Sequence, residues 1–509
     1  MHPGRLPIAL LLGIFLFSAF CLTGSKRLYG YEGRHAGEVE AWLRGEQVDA
    51  YIAGLTELAG YVPFAAVKVA LEPTGRLQSI QNILYVPVQP LWSTLLCLAF
   101  YALAWELYRR RTIAVALTLV LAFGTMVWPY AKFGMETPQS ALTVASAWLL
   151  LRYLRRPGWG SAAAFAVGMS ALALTKVTAL LHCLVLAIAA CWLLWRAGRW
   201  RDGETLRHGA LAAAIGLAAF AVLLVSNRVR FGGWLYAGRY NIETELTTGY
   251  LVENLFGTFL GPGKSIFLFN PPLLLALVFL PLFWRRFAEL RPVLLGLGIV
   301  TVWYLLLSAH FHDETWGPRR LHFLVPFLML PLGVGLERWR TYRHRPWALA
   351  AAAAVLLAGV AVQKAAIQYD YTHHARALAR HPVYSIQNNV WRPEMNAIAF
   401  NVHLLRSGAN RLRGGESIPY TIAENYVPWD APEELPEPLV FDVSEYDLDW
   451  DFWWWQERRD WRAAGARWFP MQASSLVALL NVLLVAGSGA VLGWRLARRR
   501  HRHGPGASA

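Results

Sequence analysis

The stretch VQPLWSTLLCLAFYALAWELYRRRTIAVALTLVLAFGTMVWPYAKFGMETPQSALTVASAWLLLRYLRR, residues 88–156, decides the fold class. Three apolar blocks, 88–107, 113–130 and 138–151, follow one another with little between them. A helix needs roughly 20 mostly apolar residues to cross a hydrocarbon core roughly 30 Å thick. The first two blocks reach or approach that length, and the third falls short by more than a turn. The connectors differ in kind. Arg109, Arg110 and Arg111 separate the first two blocks, and Arg152, Arg155 and Arg156 follow the third. The connector between the second and third, WPYAKFGMETP (128–138), instead carries Lys132 and Glu136.

The same alternation runs outward in both directions. Further apolar blocks fall at 7–23, 160–175, 177–195, 209–226, 266–284, 292–309, 321–336, 347–363 and 474–494. Arginine recurs in alternate connectors: Arg196, Arg199 and Arg201; Arg285 and Arg286; Arg338, Arg340, Arg343 and Arg345; and the tail Arg498, Arg499 and Arg500. Excess Lys and Arg mark cytoplasmic loops, so this pattern predicts cytoplasmic termini. It also accounts for the net charge of +15 without nucleic acid as a partner. The first block lacks a clean cleavage site and is followed by many more, so it reads as an uncleaved span. Cys21, Cys97, Cys183 and Cys191 all fall in apolar blocks, with neither disulfide nor zinc spacing.

The expected fold is therefore an all-α polytopic membrane protein with about twelve transmembrane helices. Residues 1–363 form a transmembrane module with outer loops 24–87, 129–137, 227–265 and 310–320. Residues 364–472 form a small extracytoplasmic domain before the last span, 473–494, and a basic cytoplasmic tail, 495–509. That domain holds 15 acidic and 11 basic residues, against the basic trend of the rest. In the first outer loop, AGEVEAWLRG reads as an interfacial helix. The stretch 51–71, YIAGLTELAGYVPFAAVKVAL, is nearly long enough to span but contains Glu57 and Lys68. Making it a span would put every later arginine cluster outside, so it is expected on the surface or as a re-entrant segment.

Ionisable groups near a membrane are costly and tend to face a cavity or a partner. Such groups concentrate in the outer loops. Glu32 lies in GYEGRHAGEVE (30–40), Lys132 and Glu136 in WPYAKFGMETP, and Arg230 in NRVRFGGWLYAGRYN (227–241). Lys264 lies in GPGKSIFLFNPP (261–272), and His310, His312, Asp313, Glu314 and Arg319 in HFHDETWGPRR (310–320). Lys176 follows the fifth block. Taken singly, each has a plain alternative: a solvated acid, a helix cap, or a lysine snorkelling to head groups. The aromatic run DLDWDFWWWQ (447–456) reads as packing or interface more readily than as a sugar platform.

At these motifs the chain resembles the GT-C superfamily of polyprenyl-phosphate-sugar-dependent glycosyltransferases, in its protein O-mannosyltransferase and aminoarabinose-transferase branch. LYGYEGR is similar to the acidic motif after the first span, and GTMVWPYAKFGMETP to the family's second outer segment. SNRVRFGGWLYAGRY, GPGKSIFLFNPP and ETWGPRRLHFLVPFLMLPLG are similar to later outer motifs. The likeness is spread over roughly residues 1–340. It implies an inverting transfer of a sugar from a polyprenyl-phosphate donor to an extracytoplasmic acceptor. The resemblance puts the first-loop acid at Glu32, as base or acceptor-positioning group, and the second at Glu136. It puts the cations for the lipid phosphate at Lys132, Lys264 and Arg319.

The chemistry asks for the same residue types. A carboxylate must accept the acceptor's proton. Cations must meet the charge growing on the departing phosphate. Glu32 and Glu136, with Lys132, Lys176, Arg230, Lys264 and Arg319, supply both near one membrane face. His310, His312, Asp313 and Glu314 stand as acceptor contacts or as ligands of a divalent metal, and no cofactor is assigned. Membrane lipids are the remaining expected partners. The alternative is a transporter or flippase of lipid-linked saccharides, which would use the same cations without a catalytic acid. Internal repeats and broken mid-membrane helices, its usual marks, are not visible in the sequence. A non-catalytic scaffold whose outer domain binds a partner is a third reading.

Overall fold

The computed structural model describes residues 7–28, 31–46, 54–74, 83–134, 136–235, 249–306, 315–342, 344–379, 393–422, 439–463, 465 and 469–502. The described residues are overwhelmingly α-helical, with one two-stranded antiparallel ribbon, Tyr420–Ile422 against Leu439–Phe441.

Six helical segments are long and apolar enough to cross a membrane: Val88–Tyr108, Ala179–Arg196, Gly203–Phe231, Ala288–Leu306, Pro346–Gln368 and Ser475–Arg498. A bent pair, Arg111–Gly124 and Val127–Phe133, makes a seventh if counted as one span. Ile8–Leu22, Trp159–Ala173 and Leu324–Glu337 are apolar but shorter. Of the about twelve spans expected, six or seven among the described residues are long and apolar enough to cross. The surface of Gly203–Phe231 settles the class. Leu217, Phe220, Val222 and Val225 are at least half exposed along it. A contiguous apolar surface of that kind needs lipid. The chain is a multi-pass α-helical membrane protein.

Local chemistry sets the helix ends. Val88–Tyr108 carries Pro90 in its first turn, where a missing N–H costs no helical hydrogen bond. It stops at Arg109, whose φ of 54° is left-handed and whose N–H closes onto the Trp105 carbonyl. The bent pair turns by 57° at Thr125–Met126, a broken helix where the sequence showed none. The amide of Met126 there donates to Asn270 Oδ1 at 2.8 Å, and Thr125 Oγ1 donates to the Leu121 carbonyl at 2.6 Å. Backbone groups freed inside a bilayer must find such partners.

The arginine clusters gather at one end of the bundle. Arg155 joins Glu106 at 3.1 Å and Glu289 at 2.6 Å, Arg109 also meets Glu106, and Arg286 meets Glu337. These pairs tie together the ends of five helical segments. At the opposite end sits the segment that follows Pro346–Gln368. It holds helices Tyr371–Ala379, Ala397–Leu412 and Trp453–Ala463, with a small core around Tyr369, Phe400, Leu404 and Val443.

That segment is fastened to the first helix. Trp453 and Trp454 donate their indole N–H groups to the carbonyls of Cys21 (2.7 Å) and Leu22 (2.9 Å). Arg27 pairs with Asp370 at 2.7 Å, and Lys26 with Glu457 and Asp460. The aromatic run therefore packs on the end of Ile8–Leu22. The stretch before Val88–Tyr108 forms two short helices, Leu55–Ala59 and Val62–Leu71, parted at Gly60–Tyr61. Thr56 binds the Leu174 carbonyl through its N–H (3.2 Å) and the Ala171 carbonyl through its hydroxyl (2.8 Å). Leu55–Ala59 thereby sits on the end of Trp159–Ala173.

Candidate functional site

The candidate site lies at the end away from the arginine clusters, where the connectors 24–87 and 129–137 meet. Helix Tyr31–Arg44 begins earlier than AGEVEAWLRG suggests and takes in the acidic motif. Glu32, His35 and Glu38 recur at a spacing of three, which places them along one helix face. All three are buried.

Gly134 brings the two connectors together. Its φ of +71° is left-handed, and a Cβ there would lie 2.0 Å from Glu32 Oε1 and 2.3 Å from Gln89 Cδ. Only glycine tolerates both the conformation and the approach. Glu32 is thus pressed against the turn that carries Glu136. Glu136 occupies the N-cap position of Thr137–Arg155, but its side chain makes no capping hydrogen bond. It pairs instead with Lys176 at 3.0 Å. Burial works against ionisation of Glu136, but Lys176, Arg319 and Arg320 outweigh it and hold the carboxyl below its ordinary range.

Two further titratable groups join the cluster, and the sequence reading assigned neither a role. Glu57 Oε1 lies 3.6 Å from His35 Nδ1, both side chains being more than nine-tenths buried. Burial pushes the Glu57 carboxyl up to about 8, with Lys176 opposing and Glu136 adding. Burial, then Arg230 and Lys176, bring the His35 imidazole down to about 4. Glu57 stood out in the sequence as a charge inside an apolar stretch; His35 did not, and its only signal is its place one turn from Glu32. The other charge of that stretch, Lys68, is held by Glu40 at 2.7 Å, and Tyr85 donates to the same carboxylate at 2.6 Å.

The proposed phosphate cations are placed differently from one another. Lys132 is buried against Asp451 at 2.8 Å and donates to the carbonyls of Ile367 (2.7 Å) and Asp451. An ammonium has three donors, and these contacts use them all. Lys132 therefore fastens the bundle to the segment over it. Lys264 is 1% exposed and donates to the Thr315 carbonyl, joining the GPGK turn to the approach to Arg319. Arg230 grips Glu38 at 2.7 and 3.3 Å, over the faces of Trp42 and Phe231. Arg319 and Arg320 follow Pro318 in a short 3₁₀ turn and act on Glu136 through their charge. His310, His312, Asp313 and Glu314 lie outside the described residues. Among the described residues there is no group of three or more His, Cys, Asp or Glu that could hold a metal.

Glu32 and Lys132 line one small cavity with Ser25, Arg27, Tyr61 and Gln89. Its open space, about 10 Å³, is that of a single water. Gln89 donates to the Tyr61 hydroxyl at 3.0 Å across its wall.

Fold and site together define a multi-pass membrane protein with a cluster of carboxylates, cations and an imidazole buried at one end of its bundle. No family model, no curated protein and no solved structure matches the chain.

Proposed function

We propose that the protein is a membrane glycosyltransferase of GT-C type, moving a sugar from a polyprenyl-phosphate donor to an acceptor on the extracytoplasmic face. One observation carries this reading. Glu32 of the first connector lies against Gly134, two residues from Glu136, whose carboxylate sits among Lys176, Arg319 and Arg320. Acids and cations from four distant stretches of chain converge at one end of the bundle. The arginine clusters at the other end support assigning the site to the outer face.

In the proposed reaction Glu32 takes the proton of the acceptor hydroxyl. The acceptor oxygen forms its bond to the anomeric carbon as the bond from that carbon to the phosphate oxygen breaks. Attack from the face opposite the phosphate inverts the configuration. The phosphate leaves with the electron pair and one more negative charge, which Arg319, with Arg320 beside it, meets. Preorganised cations are worth most in such a water-poor site. Lys132 and Lys264 have no part in this step. They hold together the walls through Asp451, Ile367 and Thr315.

The test is transfer by the purified full chain, with radiolabelled polyprenyl-phosphate sugars and a panel of glycan, lipid and peptide acceptors. Wild-type protein is expected to transfer label, and Glu32→Gln to bind donor but transfer poorly. Absence of transfer, with movement of a lipid-linked saccharide across a bilayer, would replace this reading by the transporter.

A further inference from the structure

We propose that His35 and Glu57 form a proton relay behind Glu32, carrying the acceptor's proton from the reacting carboxylate toward water. The inference rests on the transferase reading for its task and on separate geometry for its parts.

Glu32 and His35 are one helical turn apart on the buried face of Tyr31–Arg44. His35 Nδ1 then faces Glu57 Oε1 at 3.6 Å, a little beyond a direct hydrogen bond. Two groups able to take and give a proton thus share one helix face, and a third, Glu57, approaches the second of them. Glu57 arrives on a separate element, Leu55–Ala59, which is braced on Ala171 and Leu174. A buried acid and a buried imidazole 3.6 Å apart, short of a direct hydrogen bond, are costly to keep.

The surroundings favour one mobile proton. Facing Glu57 are His35, Lys176, Glu136 and Tyr61; facing His35 are Glu57, Arg230, Lys176 and the ring of Tyr61. Glu57 keeps its proton to about 8 and His35 stays neutral down to about 4. Glu136 beside them is held ionised by Lys176. Neighbouring acids driven to opposite states are the usual sign of divided acid and base duties. In the relay, Glu32 becomes a carboxylic acid when it takes the acceptor's proton. It returns to carboxylate by giving that proton to the His35 imidazole. His35 and Glu57 then hold two protons between them, and the surplus one leaves to water. No oxidant or further reactant is needed.

The experiment uses the full chain in lipid nanodiscs and has two arms. The first follows the infrared carbonyl stretch of protonated carboxyls from about pH 5 to about pH 9. A band present at neutral pH should vanish in Glu57→Gln and shift its midpoint in His35→Gln. Its absence from the wild type overturns the relay, whatever the enzyme's activity. The second compares one turnover on stoichiometric donor with continuous turnover. In Glu57→Gln and His35→Gln, continuous turnover should fall about 10²-fold, the lower end for lost proton-transfer help. The single turnover and donor affinity should hold, and Glu57→Asp should recover part of the rate. Equal loss in both regimes, or no loss, overturns the relay while the transferase reading stands. A wild type with a Glu57 band but no transfer sinks the transferase reading and the relay's task with it.

Discussion

The two ends of the bundle use charge in opposite ways. At the arginine-rich end the pairs are open to water: Arg155 with Glu106 and Glu289, and Arg286 with Glu337. At the other end some pairs are partly open, such as Arg27 with Asp370, but others are shut in. Lys132 and Asp451 are each 1% exposed, and Arg230 and Glu38 are 5% and 1% exposed. Exposed pairs contribute about 0–1 kcal/mol each and are screened by salt. Buried pairs cost several kcal/mol per ion in lost hydration and recover it only through close, multiple hydrogen bonds. The first end needs charge only for its sign, which orients the chain in the proposed topology. The second end keeps charge where hydrophobic residues would serve stability as well, so these pairs hold their elements in place at a cost in lost hydration.

The comparison breaks first at Glu32. Glu32→Gln keeps size and hydrogen bonding but removes the basic oxygen, so turnover should fall about 10²–10⁴-fold. Donor affinity, measured by equilibrium binding of the labelled lipid, should persist. Wild-type turnover in this variant would remove Glu32 from the chemistry and turn attention to Asp313 and Glu314.

Next in size is the Lys132–Asp451 fastening. Removing one partner of a buried pair costs about 3–5 kcal/mol, because the other is left without compensation. Lys132→Met should therefore lower the thermal midpoint sharply in detergent. Asp451 would still accept hydrogen bonds from Ser25 and Gln456, each at 2.7 Å, but as an unneutralised charge. Adding Asp451→Asn should restore much of the loss. If the double variant is as unstable as Lys132→Met, the pair's charge is not what holds the two parts together.

A smaller effect is expected in the pH dependence of stability. An unfolded Glu57 ionises near 4.5, whereas the folded one keeps its proton to about 8. Between those values the folded state binds more protons than the unfolded, so Glu57 lowers stability as pH rises through that window. His35 acts in the other direction. Its folded pKa is about 4 against 6.5, so it lowers stability as pH falls from 6.5 toward 4. Glu57→Gln should flatten the decline between about pH 6.5 and 8 and, between pH 4.5 and 6.5, leave the opposite rise from His35 unopposed, as read by thermal midpoints across the range. An unchanged alkaline slope would show that Glu57 is not kept protonated.

The sequence foretold these ends unequally. Arginine spacing announced one end directly, because orientation depends on loop charge and loop charge is local. Helix placement was legible for the same reason, since apolar runs such as 88–107 and 347–363 need no distant partner. The bend at Thr125–Met126 was not, because block 113–130 reads as one run and the residue that holds the bend, Asn270, lies 144 positions away. Lys132 was visible as a cation, but its partner Asp451 sits in an aromatic run with no periodic signal. Glu57 and His35 belong to different segments that only the packing of 55–59 on the 159–173 helix brings together. Site chemistry here is made by long-range pairing, which hydrophobic pattern does not encode.

The mildest prediction tests the first half of the comparison. Arg155 is 29% exposed and meets Glu106 and Glu289 at the arginine-rich end. If that end uses charge for orientation rather than stability, Arg155→Ala should change stability by no more than about 0–1 kcal/mol, and by less at high salt. The midpoint of thermal unfolding, compared at low and high ionic strength, reads this directly. Orientation should resist the single change, because Arg152 and Arg156 remain beside it. A cysteine placed at exposed Glu416 should still label from outside, and one at Ser508 from inside. Labelling of both from one side would break the assignment of the two ends. A loss of several kcal/mol in Arg155→Ala would instead mean that the exposed pairs bind the helix ends as tightly as the buried ones do, and the contrast between the ends would fail.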